Sequence, residues 1–544
     1  MQLQNLTNNN KVLYSLIFAF FFLIYVATSG GHTDVYDGVA TFLIAENLAL
    51  TGSPSINMIT NEQSAIDLGF DLNAYTIMKA KILAQGKYIR GDYGTLDSTD
   101  YTVHDFFEDN RSVERYTVDG ENFFGPAYLP LPIIASVFYS ISLFLNVPPI
   151  NFVSLFTNSI ILSFSSLMMF LIGKKFFSSY KIGFVVSIMF GLSSFIWPYI
   201  TSLHSRPLAI LFFLVMIYCI ISYKDNKKLI IPLFAGISFG LCFISHHFFI
   251  FLVPGLLIFS IYRFKDNKKP LAIFLLVTIL MMGLWMTMNY LRFDDPLNFG
   301  IGGQASDAGL WINYHGWTRT LEGLYGLLLS PGNSLFLYYP LAILFPFGLY
   351  YLYKKDKSLT ILFLYISAVP YIFVGTNPEW YTSNDWGPHR YLLTMIPIIA
   401  LSIGAFIVQF SSSLKMKIGI ISLIFTGIII NLIGNLVWTM YAFSYGWGPE
   451  GLWKNPDNSL VFTWNPYFSP IIQSLKVLST DWIGRLDPNP DTLNYFKIGL
   501  TGCTYDLFLY CEYGITSLII IGLILIFVSY MIYQFMTKQK INNF

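Results

Sequence analysis

Residues 126–146 read PAYLPLPIIASVFYSISLFLN, and whether this stretch crosses a bilayer decides the topology around it. It is apolar and nearly long enough for about 30 Å of hydrocarbon. Pro126, Pro130 and Pro132 crowd its start, however, and Ser and Tyr interrupt the rest. Upstream lies the polar segment 29–125, which sits outside if Lys11 is inside. Downstream lies Lys174-Lys175, the first of the basic clusters expected in cytoplasmic connections. Only one net crossing separates these two places, and 126–146 competes for it with 151–172. The prolines make 126–146 the candidate for a helix lying in, or dipping into, the outer leaflet.

The other apolar stretches long enough to span lie at roughly 11–28, 151–172, 181–200, 207–222, 229–245, 247–262, 271–290, 335–353, 359–376, 390–410, 416–440 and 514–536. The first is followed by Thr28, Ser29 and Gly30, a weak cleavage site, and by many further spans, so it reads as a retained helix. Basic clusters recur at Lys224/Lys227/Lys228, Arg263/Lys265/Lys268/Lys269, Lys354/Lys355/Lys357, Lys415/Lys417 and Lys538/Lys540. Two spans separate each of the first five clusters from the next, counting from Lys174-Lys175, so these can share one face. Segment 441–513 loops out before the last. The expected fold is an all-α polytopic membrane protein of about 12 transmembrane helices plus an external juxtamembrane helix, both termini cytoplasmic. The alternative is 13 spans with the C-terminus outside.

Composition agrees. The 544 residues are 54% hydrophobic and 12% charged, with a mean hydropathy of +0.56, whereas a soluble chain carries about 25% charged residues. Aromatics at 18% and the recurring apolar runs exclude disorder. The net charge of +1 conceals a separation: 18 Lys+Arg against 3 acids inside give +15, and 14 against 28 outside give −14. The organisation read from this has four parts. Residues 1–290 form a first membrane module with external loop 29–125 and the 126–146 helix. Residues 291–440 form a second, with external loops 291–334 and 377–389. An external region, 441–513, precedes the final helix and cytoplasmic tail, 514–544.

The external pieces carry the candidate chemistry. In GGHTDVYDGVATFLIAENLALTGS, residues 30–53, Val39, Phe42, Leu43, Ala45 and Leu48 form a helical stripe ending near Gly52. Asp34 and Asp37 thus fall at the membrane surface, where carboxylates are costly unless solvated or paired and so point to function. The competing reading is helix capping by Asp37. Arg206, Arg292 and Arg390 sit at external helix mouths and Arg319 in an external loop. The guanidinium fork suits phosphate, although interfacial anchoring explains any single Arg equally well. Several Arg among acidic loops at one membrane face suit a phospholipid-linked substrate better than a free anion.

His204, His246 and His247 fall at external turns without metal-ligand spacing, so they read as hydrogen-bonding residues and no metal is expected. Cys503 and Cys511 lie on the external side, where a disulfide is permitted, while Cys219 and Cys242 read as core. No phosphate loop, nucleophile elbow or ATPase signature appears. No charge falls mid-span, which weighs against a proton-coupled transporter. A transporter or flippase of a lipid-linked or anionic solute stays as the alternative function, and a non-catalytic scaffold is disfavoured by the clustered external charges.

Six ordered stretches together carry a resemblance: HTDVYDGVATFLIAENLALTG, ENFFGPAYLPLP, WPYITSLHSRPLAI, NYLRFDDPLNFG, GLYGLLLSPGNSLFLYYPLAIL and NDWGPHRYLLTMIPIIAL. In this order they resemble the GT-C superfamily of integral-membrane glycosyltransferases, closest to the branch around protein O-mannosyltransferases and bacterial aminoarabinose transferases. The likeness covers nearly the whole chain.

It implies a hexosyl- or pentosyltransferase at the extracytoplasmic face of the cell membrane, taking a sugar from a polyprenyl-phosphate donor and passing it to a protein, lipid or glycan acceptor. It further implies a general base in the first external loop, by position Asp37 with Asp34 as second choice. Arg390, His389 and Arg292 are the expected clamp for the leaving phosphate, with Arg206 and its neighbour His204 as weaker members. Trp386 and Tyr128 would stack on the sugar or line its groove. One well-placed carboxylate suffices for inversion by direct displacement. Relatives often carry an acid in the second external turn, where this chain has Arg206, so the expected transfer needs no metal or other cofactor. Membrane lipids are expected partners and nucleic acid is not.

Overall fold

The computed structural model describes residues 10–32, 36–54, 117–119, 122–124, 128–264, 267–293, 296–297, 317–376, 380, 386–410, 412–437, 463–479 and 505–538. Helices α1 (Asn10–Ala27) and α2 (Tyr36–Thr51) precede a small antiparallel hairpin, β1 (Thr117–Asp119) against β2 (Asn122–Phe124), with Thr117 opposite Phe124. Helices α3 (Pro130–Leu145), α4 (Pro149–Phe177), α5 (Tyr180–Gly191), α6 (Arg206–Tyr223), α7 (Ile230–Ser245), α8 (Val253–Phe264) and α9 (Lys268–Phe293) follow. The second part holds α10 (Trp317–Leu329), α11 (Leu335–Tyr338), α12 (Phe345–Lys355), α13 (Lys357–Gly375), α14 (Ile396–Gln409) and α15 (Leu414–Leu436). Three more, α16 (Pro470–Ser479), α17 (Phe508–Tyr513) and α18 (Ile515–Lys538), complete the described elements.

The chain is an all-α multi-pass membrane protein with one short hairpin, which the hydropathy pattern does not announce. Among the described residues, eight helices are long and apolar enough to cross a membrane. All twelve expected spans are helical, and the remaining four are short or broken for local reasons. Helix α5 stops at Gly191 because Ser193 Oγ turns away to donate to Ile424 O of α15 at 3.0 Å. The chain then tightens into a 3-10 turn at Trp197–Ile200 around Pro198. Between α11 and α12, Pro340 offers no N–H, and Tyr339 before it is pushed to φ −140°, ψ 75°. Helix α7 is 16 residues long. Helix α8 is preceded by the 3-10 turn His247–Leu252.

Helix α4 lies against α1, α3, α5 and α6, so it organises the first module. Its closest approach is to α5: a Cβ at Gly183 would lie 2.7 Å from Phe170 O and 2.8 Å from Lys174 N. Small residues permit such approaches in lipid, where packing rather than the hydrophobic effect holds helices together. Gly183→Val forces backbone atoms apart, and the expected cost is about 1–3 kcal/mol. Thermal unfolding in detergent reads it as a lowered midpoint, and an unchanged midpoint would mean that the two helices can separate freely here.

Four of the basic clusters meet at one end of the bundle. Lys174 Nζ donates to Tyr14 OH at 2.8 Å, Lys175 pairs with Asp225 at 2.8 Å, and Lys355 lies 4.8 and 5.0 Å from the Phe176 and Phe177 ring centroids. Arg263 pairs with Asp356, which also caps α13 by accepting the Leu359 N–H at 3.0 Å. Burial pushes the Asp356 carboxyl up, but the Arg263 bond and that N–H outweigh it and hold it below the usual carboxylate range. Its stabilisation is therefore present at neutral pH and lost as pH falls through the lowered pKa. Asp356→Ala should cost about 1–2 kcal/mol by loss of the cap, read as a midpoint drop that Asp356→Ser partly restores.

At the opposite end, α2 packs along α3. Tyr139 OH donates to Glu46 Oε1 at 3.1 Å, which satisfies one of the polar groups that α2 buries against α3. Leu131, Ala135 and Tyr139 line the buried stripe of α3, and Ile133, Val137 and Phe144 are exposed on its other side. Asn146, at φ 54°, ends α3 in the left-handed conformation.

Candidate functional site

The turn 197–206, which joins α5 to α6, is gathered around one side chain. Asn158, three turns into α4, donates from Nδ2 to the carbonyls of Tyr199 (3.2 Å), Ser202 and His204 (3.4 Å). Pro207 then fits the first turn of α6, where its missing N–H costs nothing. The outcome is that His204 and Arg206, although polar, are both buried. The Arg206 guanidinium carbon stands 5.3 Å from the centroid of the Tyr391 ring, within reach of a cation–π contact.

Tyr391 is the hub of the site. His389 stacks on it at 4.9 Å between ring centroids and Phe248 on the other contact at 4.5 Å. His246 meets it edge-on at 6.0 Å and lies 5.1 Å from Tyr128. His204 is 5.8 Å from Tyr199 in the same turn. The segment carrying His389 and Arg390 gets its direction from Gly387, at φ +97° with Phe195 so close that a Cβ would stand 2.9 Å from its Cβ. His389 Nδ1 accepts the Tyr391 N–H at 3.4 Å, and His246 Nδ1 accepts the Phe248 N–H at 3.2 Å. Burial, then the Arg206, Arg390 and His204 charges, hold His246 well below the usual imidazole range. Two guanidiniums and three imidazoles thus converge where α3, α6, α7 and α14 begin or end.

The first loop approaches from α1. Trp197 Nε1 donates to Thr28 Oγ1 at 3.1 Å, which ties the loop's root to the turn that bears Arg206. Asn151 Nδ2 donates to Gly31 O at 2.9 Å, and His32 Nε2 lies 2.8 Å from Asp506 Oδ1. The Phe508 N–H reaches Ser29 O at 3.0 Å. Gly31 has φ +64°, and a Cβ there would stand 2.7 Å from the Phe508 ring. Asp34 lies outside the described residues. Asp37 falls in the first turn of α2, which starts one residue earlier at Tyr36, so it is inside the helix and not the residue capping it. Its side chain lies outside the described residues, as do those of Arg292 at the end of α9, Arg319 in α10 and His247. As the sequence suggests, α2 ends just before Gly52, at φ +75°.

Of the residues singled out by the sequence, Arg390, His389, Arg206, His204 and Tyr128 come together. Trp386 does not line this cluster: it is buried, crosses Tyr338 edge-on at 5.4 Å, and occupies the space beside Gly434, where a Cβ would stand 2.5 Å from its ring. Cys511 is disulfide-bonded and Cys503 lies outside the described residues. Cys219 and Cys242 are free thiols. Among the described residues, no three His, Cys, Asp or Glu side chains are grouped so as to hold a metal ion. His246, which the sequence offers only as a hydrogen-bonding residue at an external turn, and Asn158 join the site from outside the six ordered stretches, and Tyr391 joins it from within the last of them.

No family model matches the chain. No curated protein matches it either. Among solved structures, it is similar to an Archaeoglobus fulgidus oligosaccharyltransferase tethered with an acceptor peptide containing the NVT sequon, at 10% identity over 69% of this chain and a TM-score of 0.33. The archaeal oligosaccharyltransferase AglB from Archaeoglobus fulgidus, in complex with an inhibitory peptide and a dolichol-phosphate, is similar at 11% identity over 84% of this chain and a TM-score of 0.34. The chain spans 51% and 59% of the lengths of those two proteins. A likeness of that extent carries no argument about activity.

Proposed function

We propose that this chain is a membrane glycosyltransferase of the GT-C type, which moves a sugar from a polyprenyl-phosphate donor to a hydroxyl-bearing acceptor at the extracytoplasmic face. One observation carries the reading: Arg206 and Arg390 converge with His204, His246 and His389 around Tyr391, at the end of the bundle to which the root of the first loop is tied. Cationic groups gathered beside imidazoles at one point make a site whose chemistry suits an anion. A phosphate at a membrane surface is such an anion, and two guanidiniums suit its oxygens.

In this reading Asp37, or Asp34 as second choice, accepts the proton of the acceptor hydroxyl. The hydroxyl oxygen bonds to the anomeric carbon, the bond from that carbon to the phosphate oxygen breaks, and the electron pair leaves with the phosphate. Displacement in one step inverts the anomeric centre. Arg390 and Arg206 neutralise the leaving charge, so the proposed transfer draws its electrostatic assistance from side chains and is metal-independent. His389, His204 and Arg292 assist that clamp, and Tyr128 borders the groove for the sugar. The acceptor is a protein, a lipid or a glycan.

The test is reconstitution in vesicles with a panel of polyprenyl-phosphate hexoses and pentoses. Release of free polyprenyl phosphate together with labelled acceptor is the expected result. Movement of intact donor across the vesicle wall, without release, would make the chain a carrier and sink the enzyme reading.

A further inference from the structure

Resting on that reading, we propose that Asp506 is a positioning residue for the transfer: from the far end of the chain it holds the root of the first loop and, through His32, the carboxylates that follow. No ordered motif contains it, and its placement is what argues for it. The segment that carries it is fixed at three points. Helix α18 packs along α1. The Asp506 N–H donates to Leu436 O at the end of α15 at 3.0 Å, and the Phe508 N–H donates to Ser29 O at 3.0 Å. From that backbone the Asp506 carboxylate reaches His32 Nε2 at 2.8 Å. An ionised carboxylate only accepts, so the His32 N–H donates in this pair. The contact is shielded, with His32 buried and the Asp506 side chain 11% exposed. Two glycines make room for the grip. A Cβ at Gly30 would stand 2.3 Å from Asp506 Oδ1 and 2.6 Å from His32 Nε2, and one at Gly31 would meet the Phe508 ring. His32 precedes Asp34 by two residues and Asp37 by five, so a displacement of its backbone passes to both candidate bases along a short covalent stretch. A reacting group misplaced by about 1 Å costs up to about 10²-fold in rate.

The experiment measures sugar transfer by the full chain in vesicles with the same donor panel. Turnover is counted per molecule able to bind polyprenyl phosphate, so that unfolded protein does not enter the rate. Asp506→Ala should lower kcat by up to about 10²-fold while KM for the donor stays within about twofold. Asp506→Asn, which keeps an acceptor oxygen for the His32 N–H, should recover most of the loss. Gly30→Ala should reproduce the loss from the loop side, because the atoms its methyl meets first all belong to the Asp506 and His32 side chains. His32→Ala should match Asp506→Ala, and the double variant should be no worse than either, as for two residues that act through one contact. Hydrogen exchange in Asp506→Ala should quicken in peptides covering residues 28–52 and stay unchanged in α4 and α6. Wild-type kcat in Asp506→Ala overturns the inference and leaves the proposed function standing. A rise in KM at unchanged kcat overturns it too, by placing Asp506 in the donor site. So do additive losses in the double variant, and so does faster exchange across α4 and α6, which would reduce the contact to overall stability. No transfer by the wild type with any donor overturns both.

Discussion

Asp37→Asn should abolish sugar transfer while the protein remains folded and inserted. A positioned base contributes about 10²–10⁴-fold to rate, and the amide retains the shape of the carboxylate while losing its ability to take the acceptor proton. The substitution is mild for the fold. Asp37 sits in the first turn of α2, where replacing an acid by its amide costs only the modest favourable interaction of negative charge with the helix N-terminus. Donor binding should therefore persist and turnover should vanish. Asp34→Asn is the control that separates the two carboxylates: it should leave most of the activity if Asp37 is the base. Normal turnover by Asp37→Asn, measured as release of polyprenyl phosphate, would remove Asp37 from that role.

Arg390→Ala should lower turnover by about 10²–10³-fold, the usual effect of deleting a preorganised group aimed at developing charge in a water-poor site. Arg390→Lys should recover only part of it, since an ammonium is a point charge and cannot present two parallel donors to phosphate oxygens. The comparison with Arg206→Ala is informative. Arg206 lies over the Tyr391 ring, so its loss also removes a cation–π contact and the packing of its stem. The expected outcome is a comparable fall in turnover accompanied by a lower melting midpoint. A variant of either arginine with wild-type turnover would mean that the cationic cluster does not hold the leaving group.

Much of the fold is legible in the sequence because hydropathy is a local signal. Every expected span is helical, and even the breaks have local causes in Pro198, Pro340 and the serines after Gly191. The charge pattern is legible too. Four of the six basic clusters do meet at one end, through Lys175–Asp225, Arg263–Asp356 and Lys355 beside Phe176 and Phe177. The site is less so. Nothing near Asn158 in the chain marks it as the residue that holds a turn more than forty positions away, because its partners are backbone carbonyls and carry no residue identity. Tyr391 directly follows His389 and Arg390, but its part as the ring they share emerges only when α6, α7 and the 386–395 segment are brought together. Trp386 shows the converse. An aromatic beside a Gly-Pro-His-Arg run looks like a sugar platform, yet the space beside Gly434 claims it for packing.

The separation of charge that the sequence displays, basic at one end and acidic with isolated arginines at the other, becomes in three dimensions a cationic cluster at the end of the bundle where the root of the first loop is tied. The claim that this cluster receives a lipid-linked phosphate is tested most directly by a cryo-electron microscopy structure of the chain with polyprenyl phosphate bound. The expected result places the phosphate within hydrogen-bonding distance of Arg390 and Arg206, with the isoprenoid chain leaving between helices into the bilayer. A phosphate bound at the opposite end, among Lys174, Arg263 and Lys355, would contradict the account.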